Sequence, residues 1–190
     1  MADAMPKDDV IAIIAELKGE AISVATMQAI PPWHAAGGAE RRHVDCVGAM
    51  GSAASIGLGL ALAQPGRKVI VLDGDGSLLM QLGSLASIAG AGVPNFYHFV
   101  FVNRVYETSG LQPIPAAAQI DFPALARAAG YPVGERFADI GVLRERLGAI
   151  LDAPGPALIA LEVAPEEGRP FPPIRRAEQA RLLREELAGT

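Results

Sequence analysis

A cationic surplus is the first thing this sequence lacks. Its 190 residues carry 16 Lys and Arg against 21 Asp and Glu, a formal net charge of −5. Nucleic-acid binding draws on Lys and Arg clustered on one face. No basic stripe is present, and the Arg175-Arg176 pair stands in a segment that also carries acids. Nucleic acid is therefore not an expected partner. Cysteine is almost absent: Cys46 is the only one. No intrachain disulfide can form, and the thiol reads as a small buried hydrophobe in a reducing cytosol. No apolar run reaches the roughly 20 residues of a membrane-spanning helix, so no membrane partner is expected. The N-terminus has acids and no long apolar stretch, unlike a signal peptide. A cytoplasmic protein follows as the expectation. Internal repeats are absent too. What is there is a chain 51% hydrophobic and 19% charged, enough for one α/β domain over 1–190 with a C-terminal extension and helix over 166–190.

The richest stretch runs Val69-Ile70-Val71-Leu72-Asp73-Gly74-Asp75-Gly76-Ser77. A β-branched apolar run stops at two acids interleaved with two glycines, and a helical pattern follows. Such a loop leaves backbone N–H groups free beside a hydroxyl and a carboxylate. That set suits a diphosphate and the metal that bridges it. Spacing rejects three rivals. A dinucleotide fingerprint needs a third glycine where Leu79 stands, and a P-loop needs Gly-Lys-Ser/Thr, which is missing. An EF-hand loop from Asp73 would need Gly and Glu where Leu78 and Ser84 stand. The plainer reading stays open: a tight strand-to-helix turn, with Asp75 or Ser77 capping the helix.

Further on, the apolar run 96–102 ends at Asn103. In an open parallel sheet, ligand groups collect where strands end at their carboxyl edge. Asp75 and Asn103 both stand at such ends. An acid oxygen, an amide oxygen and a nearby backbone carbonyl form the hard-oxygen set that Mg²⁺ takes. Asn103 read alone is a turn former.

The periodicity predicts helices over 6–17, 51–63, 77–90, 121–129, 139–151 and 175–187. Strands are predicted over 21–26, 69–73, 96–102 and 157–163, with 27–45 irregular. Strands alternating with helices imply a three-layer, doubly wound α/β domain with a mainly parallel sheet.

Gly74-Asp75-Gly76-Ser77 followed by Asn103 resembles the thiamine-diphosphate motif of Gly-Asp-Gly and a later Asn. Over roughly residues 5 to 165 the chain is similar to the cofactor-binding half of sulfopyruvate and phosphonopyruvate decarboxylases. The stretches 48–59, 83–89 and 110–113 add to the likeness. The resemblance implies the thiamine-diphosphate-binding fold, with thiamine diphosphate and Mg²⁺ as cofactors. It implies Asp75 and Asn103 as side-chain ligands of Mg²⁺, with the Val105 carbonyl as a third. Gly74, Gly76 and Ser77 fall at the phosphates, and Tyr106 flanks the metal. Met50 matches the bulky wedge under the bent cofactor, which makes it a catalytic positioning residue. The Gly48 carbonyl matches the acceptor for the exocyclic amine. His34, in the loop after the first strand, is a candidate proton donor, while a loop histidine is ordinarily solvated. His98, inside a strand, reads as packed. Glu107 reads as a substrate-side or capping group.

Two positions depart from the family pattern: Val102 stands where Asn or Asp is usual, and Arg104 where glycine is usual. Family members also need a glutamate on the pyrimidine nitrogen, carried by a different domain. The resemblance therefore implies one subunit of a split decarboxylase acting on an acidic 3-substituted pyruvate. A pyrimidine-binding partner subunit and self-association are expected, with a 2-oxo acid as substrate and helix 51–63 facing another subunit. Two alternatives remain open: an acetolactate-synthase-like or benzoylformate-type fragment, and a non-catalytic cofactor-binding or assembly module.

Overall fold

The computed structural model describes residues 4–174 and 176–188. Arg175, where the C-terminal helix was expected to start, lies outside them, as do the ends of the range 1–190. The elements follow in chain order. They are α1 (Lys7–Leu17), β1 (Ile22–Thr26), α2 (Ile30–Ala35), β2 (His43–Cys46), α3 (Ala53–Ala63) and β3 (Val69–Gly74). Then come α4 (Asp75–Met80), α5 (Ser84–Ala91), β4 (Phe96–Val102), β5 (Val105–Tyr106) and β6 (Gln112–Pro113). The last are α6 (Phe122–Ala129), β7 (Val133–Phe137), α7 (Ile140–Asp152), β8 (Ala157–Glu162) and α8 (Arg176–Ala188). Short 3₁₀ turns occupy Met27–Ala29 and Glu107–Ser109.

Six strands form one parallel sheet in the order β2-β1-β3-β4-β8-β7. Helices cover both faces, so the central strands must be apolar on both sides. β3, β4 and β8 are buried along nearly their whole length. Alternation divides them between two cores. Ile70, Leu72, Tyr97, Phe99 and Ile159 pack with α1, α2 and α7 through Ile11, Ile14, Trp33, Leu143 and Leu147. Val69, Val71, Phe96, Val100 and Leu158 pack on the opposite face with Ala53, Ala61, Leu85, Ile88 and Ala126 of α3, α5 and α6. The expected three-layer arrangement is the observed one. No helix among the described residues is long and apolar enough to cross a membrane.

The differences from the sequence reading are local. Residues 27–45 are not irregular. Pro31 and Pro32 open α2, because the first turn of a helix has no use for their missing N–H groups. His43–Cys46 forms an edge strand whose polar residues hide its pattern. β7, another edge strand, is masked by Gly134, Glu135 and Arg136. The helix expected over 77–90 is two helices, with the break at 81–83. α6 and α7 start where expected, since Asp121 and Asp139 accept from the N–H groups of Ala124 and Val142.

α3 turns Ala53, Ala54, Gly57 and Ala61 inward. A Cβ on Gly57 would stand 2.4 Å from Val71 Cγ2 and 3.0 Å from Phe96 Cε2. The glycine lets α3 lie on β3 and β4, so the small-residue face serves the sheet. Leu62, on the outer face, is exposed. The outer face of α3, with Ser55, Gly59 and Leu62 exposed, is the one open to the expected subunit contact.

Candidate functional site

The strand order changes direction at β1, whose neighbours are β2 on one side and β3 on the other. Loops leaving adjacent strands diverge there and open a crevice at their carboxyl ends. The crevice holds a pocket lined by Thr26 and Gln28 after β1, 73–77 at the end of β3, and Asn103 after β4. Met50, Val105, Tyr106, Glu107 and Lys7 complete its wall. Five of the residues expected to hold cofactor by side chain or backbone, Asp75, Ser77, Asn103, Val105 and Tyr106, are thus brought together, along with Gly74, Gly76 and Met50. Gly48 is not in the pocket wall. It stands in the loop leading to Met50, with a positive φ of 69°.

Asp75 is 3% exposed. Its Oδ1 accepts from Gly76 N at 2.8 Å and its Oδ2 from Arg104 N at 2.7 Å. Burial pushes its carboxyl up from 3.8 to about 6, against the hydrogen bonds from the Arg104, Gly76 and Asn103 backbones, and the nearby Glu107 charge adds to the rise. No Lys or Arg pairs with Asp75 among the described residues. A buried carboxylate in that state calls for a cation. Asn103 Oδ1 accepts from Val105 N at 3.0 Å. The β5–β6 hairpin uses the carbonyls of Arg104, 3.0 Å from Ile114 N, and Tyr106, 3.1 Å from Leu111 N. The Val105 carbonyl between them faces the other side of the strand, outside the hairpin. Asp75, Asn103 and Val105 therefore all line the one pocket. The pocket's acids are Asp73, Asp75 and Glu107, and its cation is Lys7.

Gly76 has a packing reason to lack a side chain. A Cβ there would stand 2.5 Å from Tyr106 Cε1 and 3.2 Å from Ile114 Cδ1. Ser77 Oγ accepts from Gly51 N at 2.9 Å, which ties the Gly-Asp-Gly loop to the loop carrying Met50. That bond leaves the Ser77 O–H free to donate. Asp73, the first acid of the motif, is not a pocket ligand by geometry. Its Oδ1 accepts from Gly74 N at 2.9 Å and its Oδ2 lies 3.1 Å from His98 Nε2, with both side chains fully buried. His98 is packed, as expected.

Arg104 adopts φ 65°. A non-glycine residue there is strained by about 1–2 kcal/mol, which accounts for glycine being usual at this position. Its guanidinium turns to Glu162, away from the pocket. Glu107 is neither solvated nor free. It pairs with Lys7 at 2.8 Å, the two side chains being 6% and 4% exposed. Lys7 was not legible in the sequence, because a lysine opening an amphipathic helix normally faces water. The stretch after β8 was equally hidden. Glu166 N donates to Glu107 Oε1 at 3.1 Å, and Gln28 and Arg169 exchange hydrogen bonds of 2.8 and 3.2 Å. This strap runs along the pocket rim.

His34 is placed elsewhere. Its Nε2 lies 2.9 Å from Asp45 Oδ2, and it is not in the pocket wall.

A family model described as "Thiamine pyrophosphate enzyme, C-terminal TPP binding domain" matches residues 25–161. The chain belongs to the thiamine pyrophosphate enzymes through that domain, and thiamine diphosphate is the cofactor for which the domain is named. The chain is 41% identical over 145 residues to a phosphonopyruvate decarboxylase of Streptomyces viridochromogenes, covering 75% of this chain and 36% of that protein. It is 49% identical over 98 residues to sulfopyruvate decarboxylase subunit beta of Methanothermobacter thermautotrophicus, covering 52% of this chain and 51% of that one. The solved thiamine diphosphate-dependent 4-hydroxybenzoylformate decarboxylase of Rhodococcus jostii RHA1 shares the fold, with a TM-score of 0.69 and 21% identity, over 88% of this chain and 34% of that one. The chain thus spans 36% of the phosphonopyruvate decarboxylase and 51% of the beta subunit.

Proposed function

We propose that this chain holds the diphosphate end of thiamine diphosphate through Mg²⁺, in an enzyme that decarboxylates an acidic 3-substituted pyruvate of the sulfopyruvate or phosphonopyruvate kind. The observation that carries it is the buried, cation-free Asp75 beside the amide oxygen of Asn103 and the outward Val105 carbonyl. These three suit Mg²⁺, which takes oxygen ligands and keeps part of its shell for phosphate and water. Ser77, whose O–H is free to donate, faces the phosphate side. Bound thiamine diphosphate supplies the electron sink for loss of CO₂ from a 2-oxo acid. The residues of this chain bind and orient. Met50, carried on a loop anchored at Gly51, acts as the wedge that sets ring orientation. Gly48 offers its carbonyl to the exocyclic amine. His34 has no part in this reading, because Asp45 holds its ring outside the pocket.

The acid for the pyrimidine nitrogen belongs to a pyrimidine-binding partner subunit in this reading, and copies of the present domain associate in the assembled enzyme. The relative named as a beta subunit supports a two-chain arrangement.

Calorimetric titration of thiamine diphosphate into the Mg²⁺-containing protein tests the core of the proposal. Binding should vanish in Asp75→Ala and Asn103→Ala, each folded by circular dichroism. Unchanged affinity in folded Asp75→Ala would remove the metal assignment. Product analysis of the assembled enzyme with sulfopyruvate, phosphonopyruvate and pyruvate then tests the substrate class.

A further inference from the structure

A second polar cluster lies one strand away from the cofactor pocket and has no part in the proposed reaction. His43 and Asp45 stand two apart on β2, so both side chains leave the same face of the sheet. His34 reaches them from the last turn of α2. Asp45 Oδ1 lies 2.8 Å from His43 Nε2, and Asp45 Oδ2 lies 2.9 Å from His34 Nε2. One ligand atom from each residue lies within 4.8 Å of the other two.

We infer that His34, His43 and Asp45 form a binding site for a divalent transition ion of the Zn²⁺ class, separate from the Mg²⁺ site. Two imidazoles and a carboxylate are the ligand set that such ions take. Zn–ligand bonds of about 2.0–2.2 Å set tetrahedral ligands about 3.3 Å apart, so the two Asp45–His contacts would open by about half an ångström while the two imidazole nitrogens, within 4.8 Å of each other, settle at that spacing. The Asp45 side chain is fully buried, and no Lys or Arg pairs with it among the described residues. Its partners are the two imidazoles and the Gln179 amide, whose Nε2 donates to Oδ2. These hydrogen bonds keep Asp45 in its carboxylate form, the form that ligates, and a divalent ion would take its place among them. His34 is 30% exposed on its side chain, which gives the ion an entry.

The surroundings of His43 fit the same role. Ser23 Oγ lies 2.8 Å from His43 Nδ1 and accepts from Trp33 Nε1 at 3.3 Å. A hydroxyl oxygen has two lone pairs, enough to accept from both rings. His43 Nδ1–H donating to Ser23 would turn the Nε2 lone pair toward Asp45 Oδ1, an arrangement that needs a cation between them. A metal-bound histidine with its other nitrogen fixed by an outer partner is the usual pattern. The opposite proton placement has Ser23 donating to Nδ1 and His43 Nε2–H donating to Asp45. That network needs no ion, and the experiment separates the two.

The site would have a structural effect on the cofactor pocket. β2 leads directly into the loop that carries Gly48 and Met50, and the Cys46 carbonyl accepts from Thr26 Oγ1 of the pocket wall at 3.1 Å. An ion at Asp45 would fix the near end of that loop.

The test uses the full chain, freed of metal by dialysis, with Zn²⁺ alone as titrant and Co²⁺ as a spectroscopic probe. Roughly one Zn²⁺ per chain should bind, and Co²⁺ should give the visible absorption of a low-coordinate site. His34→Ala changes a partly exposed residue at a helix end and should stay folded while weakening Zn²⁺ more than about 100-fold. Ser23→Ala should weaken it about 10- to 100-fold through loss of the outer partner. Asp45→Asn serves if either variant misfolds. Asp75→Ala should leave Zn²⁺ binding intact and remove only Mg²⁺-dependent thiamine diphosphate binding, so the two sites fail separately. Zn²⁺ binding that is absent, or present and unchanged in folded His34→Ala, would overturn the inference and leave a hydrogen-bonded network only.

Discussion

Replacing Asp75 with Asn should stabilise the metal-free protein at neutral pH while destroying the proposed Mg²⁺ site. The parent carboxyl is raised from 3.8 to about 6, chiefly by burial. A carboxyl with a raised folded-state pKa binds its proton more tightly in the folded state. Ionising it therefore weakens the fold, starting near the unfolded value of 3.8 and complete above about 6. The full effect is about 3 kcal/mol at pH 8, about 1.6 kcal/mol at pH 5 and about 0.5 kcal/mol at pH 4. Asn removes this term but introduces another. Gly76 N and Arg104 N both donate to the carboxylate, and an amide oxygen can receive only one of them in this geometry. The NH₂ then faces an N–H, which costs about 1–2 kcal/mol. Asp75→Asn should thus be more stable than the parent by about 1–2 kcal/mol at pH 8 and less stable below about pH 5, with the curves crossing between. Urea unfolding of both proteins in EDTA over that range measures it. Excess Mg²⁺ and thiamine diphosphate should reverse the order, since ligand at 100 times its Kd stabilises the parent by about 2.7 kcal/mol and the variant not at all. A stability difference constant from pH 4 to 8 would refute the reasoning, because it would mean that Asp75 ionises in the folded chain as freely as in water.

Met50→Ala should keep cofactor affinity within about twofold and slow turnover of the assembled enzyme, since a wedge orients rings and does not hold the charged end; lost affinity with normal turnover at saturating cofactor would count against it. Gly57→Ala should destabilise the fold by about 1–2 kcal/mol, overpacking against Val71 and Phe96 outweighing the gain in helix propensity. Its midpoint should fall by about 2–8 °C in a scanning calorimeter with cofactor affinity unchanged. The purified chain, confirmed free of other proteins, should show no robust decarboxylation of 2-oxo acids with Mg²⁺ and thiamine diphosphate, and should gain activity with a pyrimidine-binding partner. Activity alone would mean that copies of this chain complete the site themselves.

The parts legible in the sequence are those where one physical cause dominates. β3, β4 and β8 are buried on both faces, so apolar composition alone marks them. Asp121 and Asp139 announce helix starts because the cap is a local bond. Asp75 and Asn103 were legible because both follow central strands, where the end of an apolar run marks the carboxyl edge. β2 and β7 were not, since edge strands carry polar residues that meet partners far off in the chain. His43 looks unremarkable in sequence until Ser23, Asp45 and Trp33 surround it. Lys7 and Glu107 are a hundred residues apart, and no local pattern links them.

Those distant partners bear on the site more than their surface-like composition suggests. Met50 hangs on a short loop with two anchors. One is the Gly51 N–H on Ser77 Oγ, which couples the loop to the Gly-Asp-Gly turn. The other is β2, held by Asp45 through His43, His34 and Gln179. Gln179 belongs to α8, so the C-terminal stretch takes part in holding the strand that leads to Met50. The same stretch passes the pocket first, where Glu166 N holds Glu107 and Arg169 exchanges bonds with Gln28. Glu107 sits in the turn directly after Tyr106, whose ring fills the space above Gly76. Contacts from 166–179 therefore reach Glu107 in the pocket wall and Asp45 on β2, the strand that leads into the Met50 loop. The segment read from sequence as an extension is, in the folded chain, tied both to the pocket wall at Gln28 and Glu107 and to β2 at Asp45.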